Sequence, residues 1–259
     1  MPDPERPQGE RIAKLLARAG VASRREVERM IAEGRVSLDG KVLETPATII
    51  PDLRGVSVDG KPVARAEPAR VFAFHKPSGL ITAERDPRGL PTIYTALRNA
   101  MPRDKSGSAP RVMPVGRLDM TTEGLLLLTN DGALKRALEL PASNVPRSYR
   151  ARAFGEVTQA QLDELIEGVE IDGMRYGKIE ADLERGSKGG SGSRNHWILL
   201  TLTEGKNREV RRVLEHLGLQ VSRLLRVGYG PFALGDLPRG TVTEIPQVEV
   251  ERLRKSLKL

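Results

Sequence analysis

The sequence predicts an α+β protein in two parts, and three observations carry that expectation. Residues 9–66 read as helix, helix, hairpin, hairpin, a small α+β module. Over residues 70–248, strand-like and helix-like stretches are mixed without a strict βαβ rhythm. That pattern argues against a doubly wound parallel sheet and for a mixed, mostly antiparallel one. Between the two parts, KPVARAEPAR reads as a short linker.

Residues 1–8 form a Pro-rich tail. From Glu10 to Ala19, Ile12, Leu15, Leu16 and Ala19 recur at amphipathic-helix spacing, and Gly20 suits the stop. Ser23-Arg24-Arg25-Glu26 has capping-box spacing and opens a second helix through Val27, Met30 and Ile31, which Gly34 ends. VSLDGKVL and VSVDGKPV each set Asp-Gly between apolar residues, the signal of a tight hairpin. In the larger part, VFAFHK, RSYRARAFG and WILLTLTEG read as strands. Helices are expected over Thr92–Asn99, Gly132–Leu140, Thr158–Gly168 and Arg208–Leu217. Arg103–Pro110 and Glu184–Asn195 read as long loops, and the Gly/Ser run in the second lacks the GxxxxGK[ST] of a phosphate loop.

Composition narrows the chemistry. A net charge of +8 and a pI near 9.9 suit a polyanionic partner as well as they suit an ordinary basic protein. Aromatic residues at 3% leave no broad base-stacking platform. The absence of Cys removes disulfides, thiolate nucleophiles and cysteine metal sites. The apolar runs fall far short of the roughly 20 residues that cross a bilayer, and the opening MPDPERPQGE has no apolar signal segment. A cytoplasmic protein with no membrane partner is the expectation.

His75, His196 and His216 are far apart and without metal-ligand spacing, so no metal is expected. No G-x-S-x-G elbow and no strand-linked GxGxxG occurs, which leaves serine hydrolysis and dinucleotide or flavin chemistry without support. No cofactor is expected. What remains is carboxylate chemistry with arginine and tyrosine partners. VGRLDMTTEGLLLLTNDG places Asp119 just before four leucines. The leucines read as a central strand, and the acid as sitting in the turn or short strand that feeds it.

Helical spacing in Arg208–Leu217 gives an apolar stripe of Val210, Val213, Leu214 and Leu217. It puts Arg211 at the stripe's edge and turns Arg208 and Arg212 away. Arg211 can then reach a half-buried carboxylate or form a plain structural ion pair. An Arg within ~4–6 Å lowers an Asp pKa by about 1–3 units. Strand alternation sets Arg147 on the face of Tyr149, with Arg150 and Arg152 on the other face. Arg11, Lys14, Arg18, Arg24, Arg25 and Arg29 cluster on or between the first two helices.

RIAKLLARAGVASRREVERMIAEGRVSLDGKVL resembles the S4 RNA-binding domain throughout. PVGRLDMTTEGLLLLTNDG, PRSYRARAFG, FHKPSGLITAERDPRGLPTIYTALR and LTLTEGKNREVRRVLEHLGLQVSRLLRVGYGPFAL together resemble the pseudouridine synthases of the RsuA/RluB family. The NREVRR, QVSRLLRV and LPRGTVTEI segments are most similar to its B-type branch, which acts on large-subunit rRNA. The resemblance covers about residues 9–245, and it divides the chain into an S4 domain over 9–66 and a synthase domain over 70–248.

That resemblance implies isomerisation of a uridine from an N- to a C-glycosidic bond, without metal, redox group or hydrolysis. It assigns the essential carboxylate to Asp119. Attack on the ribose, attack on the base and deprotonation of the sugar all stay open, with sugar-side chemistry through a glycal-like intermediate preferred. Tyr149 would stack on the extruded uracil and take the C5 proton, and Arg211 would pair with Asp119. Arg117 would fill the gap left by the flipped base, an extrusion that costs a few kcal/mol. Arg24, Arg25, Arg208 and Arg212 would meet phosphates. Lys76, in FHKPSG, would shape a loop, with His75 standing where Asn is common in the family. The expected partner is ribosomal RNA, 23S favoured over 16S, free or in an assembly intermediate, and the expected state is a monomer. The rival classes are a non-catalytic RNA-binding assembly factor and an aspartate-nucleophile phosphotransferase. The first leaves Asp119 unexplained, and the second lacks a second acid after it.

Overall fold

The computed structural model describes residues 9–63, 67–103, 107–184 and 195–259. The tail at 1–8, the linker residues 64–66, and residues 104–106 and 185–194 of the two expected loops lie outside the described residues. By its internal contacts the chain divides into two units, residues 1–69 with 130–132, and residues 70–129 with 133–259.

In the first unit, helices Ile12–Arg18 and Arg24–Ala32 pack through Ile12, Leu16, Val27 and Ile31, all essentially inaccessible to water. Burying each such side chain contributes about 1.5–3 kcal/mol. Only half of the capping box forms. Ser23 Oγ accepts from the Glu26 amide at 3.2 Å, but the Glu26 carboxylate turns to Arg29 instead of back to the cap. Behind the helices lies an antiparallel sheet of Lys41–Val42, Val36–Leu38, Val56–Val58 and Lys61–Pro62, in that order. Both Asp-Gly pairs take left-handed φ values, 49° and 78° at Asp39-Gly40 and 50° and 73° at Asp59-Gly60. Positive φ at both central residues is what a two-residue hairpin turn requires.

The second unit holds one nine-stranded sheet. Its main path runs Ile179–Leu183, Asn195–Leu202, Arg147–Phe154, Gln220–Tyr229, Thr122–Thr129, Val71–Lys76, Val242–Glu244. The strand Gln220–Tyr229 runs parallel to Thr122–Thr129, and the other strand pairs are antiparallel. The sheet is therefore mixed and mostly antiparallel, as the sequence indicates. Val71–Lys76 and Thr122–Thr129 are buried at every residue, which explains their continuous apolar runs.

Two packed clusters flank the sheet's ends. Helix Glu209–His216 and the segment Gln159–Glu167 cover Ala151, Ala153, Ile198 and Leu200, while helix Ile93–Ala100 covers Phe72, Phe74, Leu126 and Leu128. The expected helix at Thr158–Gly168 is instead an α-helix, Gln159–Asp163, followed by a 3₁₀ turn, Glu164–Glu167. It stops at Gly168, with φ +76°, where a Cβ would lie 2.5 Å from the Tyr176 carbonyl. Strands Ile179–Leu183, Gln220–Tyr229 and Val242–Glu244 and the closing helix Gln247–Ser256 add to the expected elements. Among the described residues no helix is long and apolar enough to cross a membrane.

Candidate active site

Asp119 stands half-buried on a turn that the rest of the unit holds from three sides. Its carbonyl accepts from the Thr122 amide at 3.0 Å, closing the turn just before strand Thr122–Thr129. On one side Thr82 Oγ1 donates to the Leu118 carbonyl at 2.8 Å and accepts from the Leu118 amide at 3.2 Å. On another the Gly79 amide donates to the Met120 carbonyl at 2.8 Å.

From below comes Lys76, which is completely buried. Its ammonium donates to the carbonyls of Thr122 at 2.9 Å, Asp119 at 3.1 Å and Pro77 at 3.2 Å, and reaches that of Met120 at 3.4 Å. Burial brings its pKa down to about 8, while the charges of Asp119 and Glu123 oppose that fall. The loop-shaping part expected of Lys76 is thus visible as a set of bonds. The departure from Asn at His75 is accommodated because Nδ1 bonds the Leu237 carbonyl at 2.7 Å.

Above the turn opens a cleft of ≈ 280 Å³ lined by Ile81, Thr82, Arg117, Asp119, Thr121 and Arg208. Arg117 is exposed. Arg208 differs from its expected place. It is not on the outward face of the helix but is its left-handed N-cap, φ 51° and ψ 28°, and this bend brings it to the cleft wall. A helical wheel presumes helical φ/ψ and cannot place such a residue.

Arg211 is buried at the stripe's edge, 7% exposed. Its Nη1 donates to the Val221 carbonyl at 3.1 Å, and Nη2 approaches Thr121 Oγ1 at 3.3 Å and the Thr121 carbonyl at 3.4 Å. It makes no contact ion pair with Asp119 among the described residues. Burial chiefly, and then Arg208, lower its pKa, and the Asp119 charge pulls the other way. Arg211 and Asp119 are therefore linked through the field, and Arg211 holds Thr121, two residues beyond Asp119. Arg212 is exposed and turns away, toward the Tyr176 hydroxyl at 3.4 Å.

Tyr149 lies half-buried on strand Arg147–Phe154, opposite Arg226 on one neighbour and Leu200 on the other. It packs against both apolar clusters, one of which contains Leu118, the residue before Asp119. Arg147 is buried and donates to the carbonyls of Leu138, Val145, Thr203 and Glu204. On the opposite face Arg150 binds Glu184 at 2.6 and 2.7 Å, and Arg152 is exposed, as alternation requires. Arg24 and Arg25 belong to the first unit, exposed at the head of the second helix and without an ion pair among the described residues.

Sequence reading missed Thr82 and Thr121. Each acts through one hydroxyl whose partner is distant in the chain, and no local pattern marks such a residue. Within one unit the fold brings together Asp119, Arg117, Arg208 and Arg211, with Tyr149 packed into the adjoining cluster. A half-buried carboxylate ringed by cations, with no imidazole on the cleft wall, suits chemistry in which a carboxylate works on an anionic substrate.

Residues 70–216 match the family described as RNA pseudouridylate synthase, and residues 10–51 match the S4 domain. The ribosomal large subunit pseudouridine synthase B of Escherichia coli O6:H1 is 43% identical over 258 residues, covering 96% of this chain and 84% of that protein. An RNA pseudouridine synthase of Rickettsia felis, named as uncharacterized, is 37% identical and covers 94% of this chain and 100% of its own length. A crystal structure titled pseudouridylate synthase superposes with a TM-score of 0.60 at 24% identity, over 94% of this chain and 99% of that one. That likeness speaks to the fold.

Proposed function

Because the chain belongs to the RNA pseudouridylate synthase family, we propose that it isomerises a uridine of ribosomal RNA, specifically 23S rRNA, with Asp119 as the essential carboxylate. The observation that carries this reading is the Asp119 turn, fixed by Lys76, Thr82 and Gly79 beneath an open cationic cleft. The C1′–N1 bond breaks and a C1′–C5 bond forms. C5 loses a proton and N1 gains one, so no atom or electron enters or leaves.

In this reading residues 9–66 bind RNA as an S4 domain and residues 70–248 carry the chemistry. Tyr149 stacks on the extruded uracil and takes the C5 proton. Arg211 pairs with Asp119 through its positive charge, and Arg117 occupies the space that the flipped base leaves. Arg24, Arg25, Arg208 and Arg212 meet phosphates, whose neutralisation supplies sequence-independent affinity. The protein works as a cytoplasmic monomer on rRNA or an assembly intermediate. The large-subunit name of its 43% relative supports 23S over 16S.

Carbodiimide-based pseudouridine mapping of 16S and 23S rRNA, incubated with wild type and Asp119→Asn, tests the reading. A new pseudouridine in 23S with wild type and none with the variant is the expected result. Product from Asp119→Asn would overturn the carboxylate assignment. RNA binding without product from wild type would favour the assembly-factor class.

A further inference from the structure

Strand Arg147–Phe154 packs Ala151 and Ala153 against helix Glu209–His216 and sends Arg150 and Arg152 to the opposite face of the sheet. On that opposite face a row of side chains crosses the strands. Trp197 stands directly opposite Arg152 on one neighbour, and Arg223 directly opposite it on the other. The face is open to water: Arg152 is exposed, Leu199 is 36% exposed, and Trp197 and Arg223 are half-buried.

Glu123 continues the row. It pairs with Leu225, two residues beyond Arg223 and on the same face. Its carboxylate is buried, and it accepts from Arg223 Nε at 2.9 Å and Nη2 at 3.2 Å and from Arg239 Nη2 at 3.0 Å. Arg239 belongs to the segment Leu237–Thr241, which His75 holds. The His75 ring donates to the Leu237 carbonyl at 2.7 Å, its carbonyl accepts from the Gly240 amide at 2.8 Å, and its amide donates to the Thr241 carbonyl at 3.1 Å. Both guanidiniums keep a wet side, with Arg239 56% and Arg223 35% exposed.

The charges of this row do not balance. Arg152 and Arg223 are like charges directly across a strand pair, a juxtaposition that costs stability. One carboxylate serves both Arg223 and Arg239, and Arg152 has no ion-pair partner among the described residues. The other acids of the face lie toward the edge strand Ile179–Leu183, where Lys178 pairs with Glu180, Arg150 binds Glu184 and Asp182 is exposed. Toward the centre of the sheet, three arginines against one buried acid leave a cationic stripe.

We propose that Arg152, Arg223 and Arg239 bind RNA phosphates, a backbone contact on the face of the sheet turned away from Tyr149, and that Glu123 and His75 are the positioning residues that aim two of the three. This inference rests on the reading of rRNA as substrate and adds a place where the RNA is held. A polyanionic backbone relieves the repulsion between Arg152 and Arg223, and each phosphate neutralised releases condensed counterions. Trp197, with the Arg150 guanidinium 4.3 Å from its ring centre, flanks the contact.

Trp197 is the chain's single tryptophan, so its fluorescence reports on this face. The full chain carrying Asp119→Asn is titrated with a 23S rRNA transcript, with free tryptophan correcting for absorption. Affinity is then measured against salt for wild type, for Arg152→Gln/Arg239→Gln, and for Arg252→Gln, an exposed arginine of the closing helix. Arg223 is left in place because its loss would strip Glu123 of a bidentate partner. RNA is expected to quench Trp197, and salt to reverse the quenching. The double variant is expected to flatten the slope of log K against log salt by about 1.4–1.8. Over a roughly four-fold rise in salt, wild type then loses about 7–12 times more affinity than the double variant. Arg252→Gln should keep the wild-type slope. If melting shows the double variant unfolded, Arg152→Gln alone decides, with a flattening of about 0.7–0.9. Unchanged Trp197 emission at RNA saturation, an unchanged slope in the folded variant, or an equal change from Arg252→Gln would each overturn the proposal. Quenching and a flattened slope without pseudouridine from wild type would count against the synthase reading and leave the contact standing.

Discussion

Replacing Lys76 with methionine removes the support beneath Asp119 while preserving length and apolar contact. Three carbonyls, of Thr122, Asp119 and Pro77, lose a donor at 2.9–3.2 Å in a place closed to water. A hydrogen bond from a charged donor contributes about 1.5–3 kcal/mol, so the loss of the three is roughly 4.5–9 kcal/mol. Against it stands the cost of burying the ammonium. The drop in pKa from 10.5 to about 8 converts to about 3 kcal/mol, at ~1.4 kcal/mol per unit. The lost bonds outweigh the relieved charge, for a net destabilisation of about 3 kcal/mol at pH 7, or roughly 6–12 °C in Tm for a unit of this size.

The pH dependence has a definite sign. The folded chain binds fewer protons at Lys76 than the unfolded chain between pH 8 and 10.5, so wild type gains on the variant as pH rises through that window. Thermal melts of both proteins at pH 7 and pH 10 measure the gap. A Tm within 2 °C of wild type at pH 7, or a gap that narrows at pH 10, would refute this account of Lys76.

Arg211→Ala is expected to cut turnover by about 10²-fold while leaving RNA affinity nearly intact, since the guanidinium holds Thr121 and the field at Asp119 instead of facing RNA. Single-turnover kinetics beside filter binding separates the two quantities, and a purely affinity-based loss would contradict it. Gly124→Ala should unfold the second unit. A Cβ there lies 2.3 Å from the Arg226 carbonyl oxygen at φ +103°, and a variant with native circular dichroism and melting would be decisive against it. The double variant Arg24→Ala/Arg25→Ala should weaken RNA binding alike across sequences. It should also flatten the slope of log K against log salt by about 2 if both arginines meet phosphates. An unchanged slope would remove them from the interface.

Legibility in the sequence followed locality. The strand VFAFHK agrees with the observed Val71–Lys76 residue for residue, because a strand buried on both faces writes itself as an apolar run. Both Asp-Gly hairpins were readable because the turn chemistry is contained in two residues. Gln220–Tyr229 was not legible as a strand. Its Arg226 looks solvent-bound, yet it is 2% exposed, donates through Nε to the Leu125 carbonyl at 2.8 Å and lies 4.9 Å from the centre of the Tyr229 ring. The Leu125 carbonyl comes from the neighbouring strand, 101 residues away in the chain. At the candidate site, what was legible is the placement of Asp119 in a half-buried turn feeding the leucine strand. The link of Arg211 to Thr121 arises only when residues about 90 positions apart meet, and the left-handed φ/ψ of Arg208 breaks the helical spacing from which its outward place was read.

The parallel pairing at the sheet's centre also fixes an order of events in time. Thr122 meets Leu224 and Gly124 meets Arg226, so the strand behind Asp119 gains one of its neighbours only after about a hundred more residues have been made. Closing so large a loop costs entropy before any contact repays it, and such topologies fold slowly. On the ribosome, at roughly 5–20 residues per second, the strand Thr122–Thr129 waits several seconds with the Thr122–Gly124 part of one edge uncovered, while Met113–Pro114 already pairs with its Leu128–Thr129 end. The antiparallel pairing with Val71–Lys76 is complete within that time and covers the other edge. The nascent chain therefore passes through a stage in which the future site is half built and open to aggregation.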